Sequence, residues 1–134
     1  MKPPSIWNAL SFVWSLPNTA VGLAFGALSL ARPERSHGAI NFQLRRGIVL
    51  WVCHRIGISA FTMGDCVLYT VPPTSALRVH EGRHVWQYRM LGPLFLPVYF
   101  LLMARYGYWD HPLERDARAY EERMLGRVGP SRLK

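Results

Sequence analysis

The stretch that decides the reading is Thr74-Ser75-Ala76-Leu77-Arg78-Val79-His80-Glu81-Gly82-Arg83-His84-Val85-Trp86-Gln87-Tyr88-Arg89-Met90, followed by Leu91-Gly92-Pro93. Thr74 or Ser75 is a good N-cap after Pro72-Pro73, and Gly92-Pro93 supplies a stop, so a helix is expected to about Met90. Within it, His80-Glu81-Gly82-Arg83-His84 is an H-E-x-x-H pattern. The i, i+4 spacing puts both imidazoles on one helix face, one turn apart, as two ligands of a tetrahedral Zn²⁺ require. Glu81 lies beside them, within reach of a metal-bound water, and is the candidate catalytic general base.

A third ligand must come from elsewhere. Downstream, Asp110-His111-Pro112-Leu113-Glu114-Arg115-Asp116-Ala117 opens a second helix, with Pro112 at its favoured first position and its end near Leu125. Glu114 is the best candidate, His111 the runner-up and Glu121 a weaker one. As a first-turn carboxylate, Glu114 also has a capping or dipole reading. Asp65, in Met63-Gly64-Asp65-Cys66, is expected either to pair with an arginine or to support a metal-bound histidine. Tyr120 or Arg118 is a candidate donor to a developing oxyanion. His37 and His54 stand isolated and are read as outside the site.

Upstream, Ile40, Phe42 and Leu44 alternate with polar residues, which reads as a half-buried strand. Ile48–Cys53 is a continuous apolar run and reads as a second strand. Ile58–Val71 reads as extended, with a turn at Gly64. The expected fold is α+β: a small antiparallel sheet packed with the H-E-x-x-H helix and the helix after it, over residues 36–134.

Residues 1–35 read differently. From Pro3 to Ala31 nothing is charged, and a spanning helix needs about 20 residues. Pro17-Asn18 interrupts this stretch, suggesting helices Ser5–Leu16 and Asn18–Leu30. A kinked span, a hairpin dipping into one leaflet, a signal peptide and buried core helices are the readings it supports, with membrane association preferred. Trp7 and Trp14 suit an interfacial depth. Arginines follow the segment and only Lys2 precedes it, so the positive-inside rule places the metal domain in the cytoplasm. A second apolar run, Leu91–Ala104, is too short to span and reads as a buried or interfacial helix.

Composition narrows the function classes. The chain has 134 residues, 50% of them hydrophobic and 18% charged. Its mean hydropathy of +0.04 is high for so small a domain and excludes a disordered chain. Two cysteines exclude a disulfide scaffold. The net charge of +8 suits an anionic partner. The arginines are scattered and form no nucleic-acid motif, so a lipid membrane is the expected partner and nucleic acid is not.

Three blocks resemble a group of bacterial membrane-associated, zincin-like proteins: Leu16-Pro17-Asn18-Thr19 with the Gly/Leu/Ala-rich run after it; Val79–Tyr88 running into Gly92–Tyr99; and His111-Pro112-Leu113-Glu114-Arg115-Asp116-Ala117, similar to that group's Asn-Pro-Phe-Glu-x-x-Ala block. The resemblance extends from Leu16 to about Glu122. It implies a gluzincin-like site in which His80, His84 and Glu114 hold zinc, in a protein of the bacterial inner membrane, and it implies no substrate. Two positions depart from the pattern. Arg83 is charged where zinc peptidases keep an uncharged residue, and Asp65 stands where the group often has a histidine. The expected function is a membrane-associated zinc hydrolase acting on peptides. The competing expectation is a non-catalytic subunit or scaffold of a membrane complex, its metal site structural or vestigial and closed by a fourth ligand such as His111.

Overall fold

The structure is a computed structural model that describes residues 6–36 and 38–126. It is α+β, with a four-stranded mixed sheet between two helical layers. Helix α1 (Ile6–Leu28) leads into strands β1 (Pro33–Ser36) and β2 (Ala39–Gln43), then helix α2 (Ile48–Ile56), strands β3 (Ala60–Met63) and β4 (Cys66–Tyr69), and helix α3 (Ser75–Leu91). A 3-10 turn, Gly92–Leu94, joins α3 to α4 (Phe95–Tyr106), and α5 (Pro112–Met124) follows.

The strand order is β1-β2-β4-β3. Its outer pairs are antiparallel, but β2 and β4 run parallel, with Ile40 opposite Cys66 and Gln43 opposite Tyr69. The expectation of an all-antiparallel sheet is corrected here. The cause is α2. Ile48–Cys53, read as a strand, is the body of a helix that ends at Gly57 in a left-handed C-cap. With α2 and then β3 between them, β2 and β4 are joined by a crossover rather than a hairpin, and β3 runs opposite to both, which leaves β2 and β4 parallel.

Strand β4 is buried on both faces, which explains its uninterrupted apolar sequence Cys66-Val67-Leu68-Tyr69. Val67 and Tyr69 join Ala39 and Val85 under α3. Cys66 and Leu68 join Phe42 and Leu44 on the other face, against Phe25 of α1 and Val49 and Leu50 of α2.

Helix α1 runs unbroken through Pro17, so the expected break there does not occur. Tertiary contacts of the two residues after the proline hold the axis. Asn18 Nδ2 donates to the Gly92 carbonyl at 2.9 Å, and the Asp65 amide donates to Thr19 Oγ1 at 2.9 Å. Both contacts need glycine: Gly64 (φ +64°) and Gly92 (φ +57°) sit where a Cβ would strike Thr19 and the Trp14 indole. Apart from Phe25, the face that α1 turns to the protein is small and polar: Ser15, Asn18, Thr19, Gly22 and Gly26, with Ser29 just past its end. Its outer face carries Ile6, Trp7, Leu10, Val13, Trp14 and Leu28, all exposed. The stretch Ala9–Leu28 is long and apolar enough to cross a membrane.

The apolar run Leu91–Ala104 becomes the end of α3, the 3-10 turn and most of α4, with Phe95 buried and Phe100 and Leu101 exposed.

Candidate metal centre

Two helix starts aim the site. Thr74 Oγ1 accepts from the Leu77 amide at 3.1 Å and fixes the first turn of α3. At the head of α5, His111 Nδ1 accepts from the Leu113 amide at 3.2 Å, with Pro112 at the first helical position. Helix α5 lies along α3 and sets Glu114, in its first turn, opposite His80 and His84.

The three residues converge. His80 Nε2 lies 3.1 Å from Glu114 Oε2, and His84 Nε2 lies 3.3 Å from Glu114 Oε1. One ligand atom from each falls within 4.8 Å of the others. Ligands about 2.1 Å from a tetrahedral ion sit about 3.4 Å apart, so the two nitrogen–oxygen separations fit a zinc-sized cation. All three side chains are buried, Glu114 to 4% exposure.

Both histidines offer Nε2 because their Nδ1 atoms are held from behind. His84 Nδ1 lies 2.9 Å from Gln87 Oε1. The Gln87 amide nitrogen donates to the Leu113 carbonyl at 3.0 Å and to Asp116 Oδ2 at 2.9 Å, which turns its oxygen toward the ring. His84 therefore donates from Nδ1 and leaves the Nε2 lone pair for a cation, the arrangement typical of metal-bound histidines. His80 Nδ1 lies 3.3 Å from Glu121 Oε2. Glu121, weighed in the sequence as a ligand, sits behind His80 instead. Tyr99 of α4 donates to Glu114 Oε1 at 2.7 Å.

The electrostatics of the cluster suit a cation. Burial lowers the pKa of His84, but its hydrogen bond to Glu114 and the charges of Glu81 and Glu114 outweigh that and raise it to about 9. Burial raises that of Glu114, but the hydrogen bonds from His80 and His84, the His84 charge and Tyr99 hold it well below the usual carboxylate range. A proton on His84 does part of what a metal ion would do.

Glu81 faces the sheet. Its Oε2 accepts from Thr62 Oγ1 of β3 at 2.7 Å, and its Oε1 makes no hydrogen bond among the described residues. Arg83 turns away from the cluster. It forms two bonds to Asp116 at 2.7 and 3.2 Å, with its guanidinium over Trp86 (4.1 Å) and Tyr120 (4.8 Å). The charged residue inside the motif thus clamps α3 to α5, the helix that carries Glu114.

The remaining candidates are not brought to the centre. His111 is buried with both ring nitrogens engaged, Nδ1 as the cap and Nε2 bonded to the Tyr99 carbonyl at 2.9 Å. It cannot serve as a fourth ligand without losing one of these bonds. Asp65 Oδ1 pairs with Arg89 at 2.8 Å, the salt-bridge alternative of the sequence reading, and touches neither histidine. Tyr120 packs against Arg83. Arg118 donates to the Trp109 carbonyl and stacks over Tyr108 and Trp109. His54 bonds the Thr70 carbonyl, and His37 lies outside the described residues.

Gln87, Tyr99 and Thr62 were not anticipated. Gln87 had a local signal, since it lies three residues after His84 and shares its helix face. Tyr99 and Thr62 arrive from other elements and had none. No family model matches the chain, and neither does any curated protein or solved structure.

Proposed function

We propose that this is a membrane-seated, zinc-binding protein of minimal gluzincin type that hydrolyses peptide bonds. The observation that carries the reading is the set His80, His84 and Glu114, with both Nε2 atoms turned inward and both Nδ1 atoms held by Gln87 and Glu121. Two nitrogens and a carboxylate oxygen suit zinc. Zinc, when bound, supplies a Lewis acid and lowers the pKa of a water toward about 7.

The chain's own groups supply the proton handling. Thr62 fixes one oxygen of Glu81, so Oε1 is the atom to take the proton from the attacking water and return it to the leaving amine. His111, the residue that would close the site, is committed elsewhere, which favours an open coordination position and hence catalysis over a structural ion. Strand β3, beside Glu81, is an edge strand paired with β4 alone among the described residues. Edge strands suit extended peptides, which pair with them through the main chain.

The membrane reading rests on α1, polar toward the protein and apolar outward. Among the described residues its contacts with the domain run from Trp14 to Ser29, and Ile6–Val13, about 12 Å of helix and mostly exposed, lies beyond them. A span across about 30 Å of hydrocarbon would carry an open-edged sheet into lipid, where its main-chain groups go unsatisfied. Helix α1 is therefore assigned to one leaflet, seated on its apolar face, as the first part of a single unit with residues 36–134. The net charge of +8 favours the anionic cytoplasmic leaflet of a bacterial inner membrane.

The test is cleavage of a casein-derived peptide mixture by the zinc-loaded full chain in detergent. Glu81→Gln should lower the rate at least about 100-fold and keep the metal. Undiminished cleavage by Glu81→Gln sinks the general-base role. Zinc binding with no cleavage by the wild type favours the non-catalytic reading.

A further inference from the structure

Away from the metal centre, a cavity of about 450 Å³ opens between the end of α1, the sheet and the start of α3. Arg32, Arg45, Arg46 and Arg78 line it, and Glu34 is its one acid. Arg32, Arg45 and Arg46 make no ion pair among the described residues, and neither does Arg78, which stacks over Tyr69 at 5.4 Å. Four cations therefore converge on one concavity against a single carboxylate. Like charges so gathered repel one another unless an anion lies between them.

A second, independent feature points the same way. Ser29, 2% exposed, lines this cavity, and its hydroxyl has no hydrogen-bond partner among the described residues. Buried hydroxyls are normally satisfied, and this one is left without a partner in the wall of a cavity that four arginines line. The rim adds a third feature. Leu30, also lining the cavity, is 74% exposed, and Leu28 just before it is 68% exposed. Leu28 belongs to the outer apolar face of α1, and Leu30 follows just past the helix's end. A soluble phosphate has no use for them, whereas an acyl chain does.

We infer that this cleft binds the phosphate of an anionic phospholipid, its tails lying along Leu28 and Leu30. The inference rests on the membrane seating of α1 and is independent of the metal reading. The volume is within the range that encloses small ligands. Occupation would fix the domain's rotation about α1 and hence the height of the metal centre above the bilayer.

The experiment uses the full chain in neutral maltoside micelles, titrated with dihexanoyl phosphatidylglycerol, dihexanoyl phosphatidylcholine or inorganic phosphate, with bound ligand counted by native mass spectrometry. One phosphatidylglycerol per chain is expected. Arg45→Gln/Arg46→Gln should weaken it at least about tenfold. Both arginines are exposed, so the fold, read by melting temperature and zinc content, should not change. Arg105→Gln/Arg115→Gln removes the same charge elsewhere and should leave binding within about twofold, because screened charges at a distance contribute little. Equal binding of phosphatidylcholine, equal binding of inorganic phosphate, or equal loss in both double variants would each overturn the proposal. Flotation with phosphatidylcholine vesicles reads the seating separately. A chain that floats but lacks a specific lipid loses only the cleft, and one that never floats loses the membrane reading too.

Discussion

Replacing Gln87 by leucine tests whether the site is prepared for a metal by the residues behind it. The substitution keeps the volume and removes three bonds: the acceptor for His84 Nδ1 at 2.9 Å, and the donors to the Leu113 carbonyl at 3.0 Å and Asp116 at 2.9 Å. Loss of the group that orients a metal-bound histidine costs about 10- to 100-fold in affinity, or about 1.4–2.8 kcal/mol. The metal-free fold weakens too, because the His84 N–H is left buried without a partner, at about 1–3 kcal/mol, and the bond to Asp116 is lost. The assay is competition for zinc against a chromophoric chelator at fixed pH, beside thermal melting of the metal-free protein. Gln87→Glu separates the two effects. It restores an acceptor to the ring and no donor, so zinc affinity should return most of the way while the melting temperature stays low. Wild-type affinity in Gln87→Leu, or equal weakness in both variants, would refute the claim that ring orientation sets the affinity.

Three further outcomes follow from particular residues. With its pKa raised from 6.5 to about 9, His84 carries a proton at pH 7 in the metal-free protein, which zinc must expel. Conditional affinity, corrected for the competitor, should rise about tenfold per pH unit from 6.5 to 9 and then level off; a flat profile would contradict this. The same raised pKa stabilises the metal-free fold fully below pH 6.5, and denaturant titration should show that contribution fading as the pH climbs through about 9. Finally, a Cβ at Gly26 would lie within 2.6 Å of the buried Phe42 ring, whereas one at Gly82 meets nothing within 4 Å. Gly26→Ala should cost about 1–3 kcal/mol by overpacking, and Gly82→Ala should gain about 0.4–1 kcal/mol; melting curves that reverse this order would break the α1 packing argument.

What could be read from the chain divides along a physical line. The grouping of His80, His84 and Glu114 was legible because the signals that place them are local. The i, i+4 histidines, the Thr74 cap and Pro112 each act within one helix turn, and the structure brings His80, His84 and Glu114 together as their spacing suggests. The α+β class was legible for the same reason, from the alternation of β2 and the caps of α3 and α5. The parallel β2–β4 pairing was not, because it depends on α2. A short apolar run such as Ile48–Cys53 has no period that separates strand from helix. Its outward residues, Ile48, Trp51, Val52 and Ile56, stay exposed, so the usual polar stripe is missing. Strand β1, Pro-Glu-Arg-Ser, is a polar edge strand without an apolar pattern to find. At Pro17 local propensity gave the wrong answer, because Asn18 and Thr19 are tied to Gly92 and Asp65, residues far away in the chain. Tyr99 and Thr62, which reach Glu114 and Glu81 from other elements, were out of reach for that reason too.

The claim at the centre is that His80, His84 and Glu114 form a zinc site ready to hold the ion. Elemental analysis of the full chain, purified in detergent without chelators, tests it most directly, with wild type beside His84→Ala and Glu81→Gln. About one zinc per chain is predicted in the wild type and in Glu81→Gln, and almost none in His84→Ala. A wild type without metal, or a His84→Ala protein that keeps it, would contradict the account.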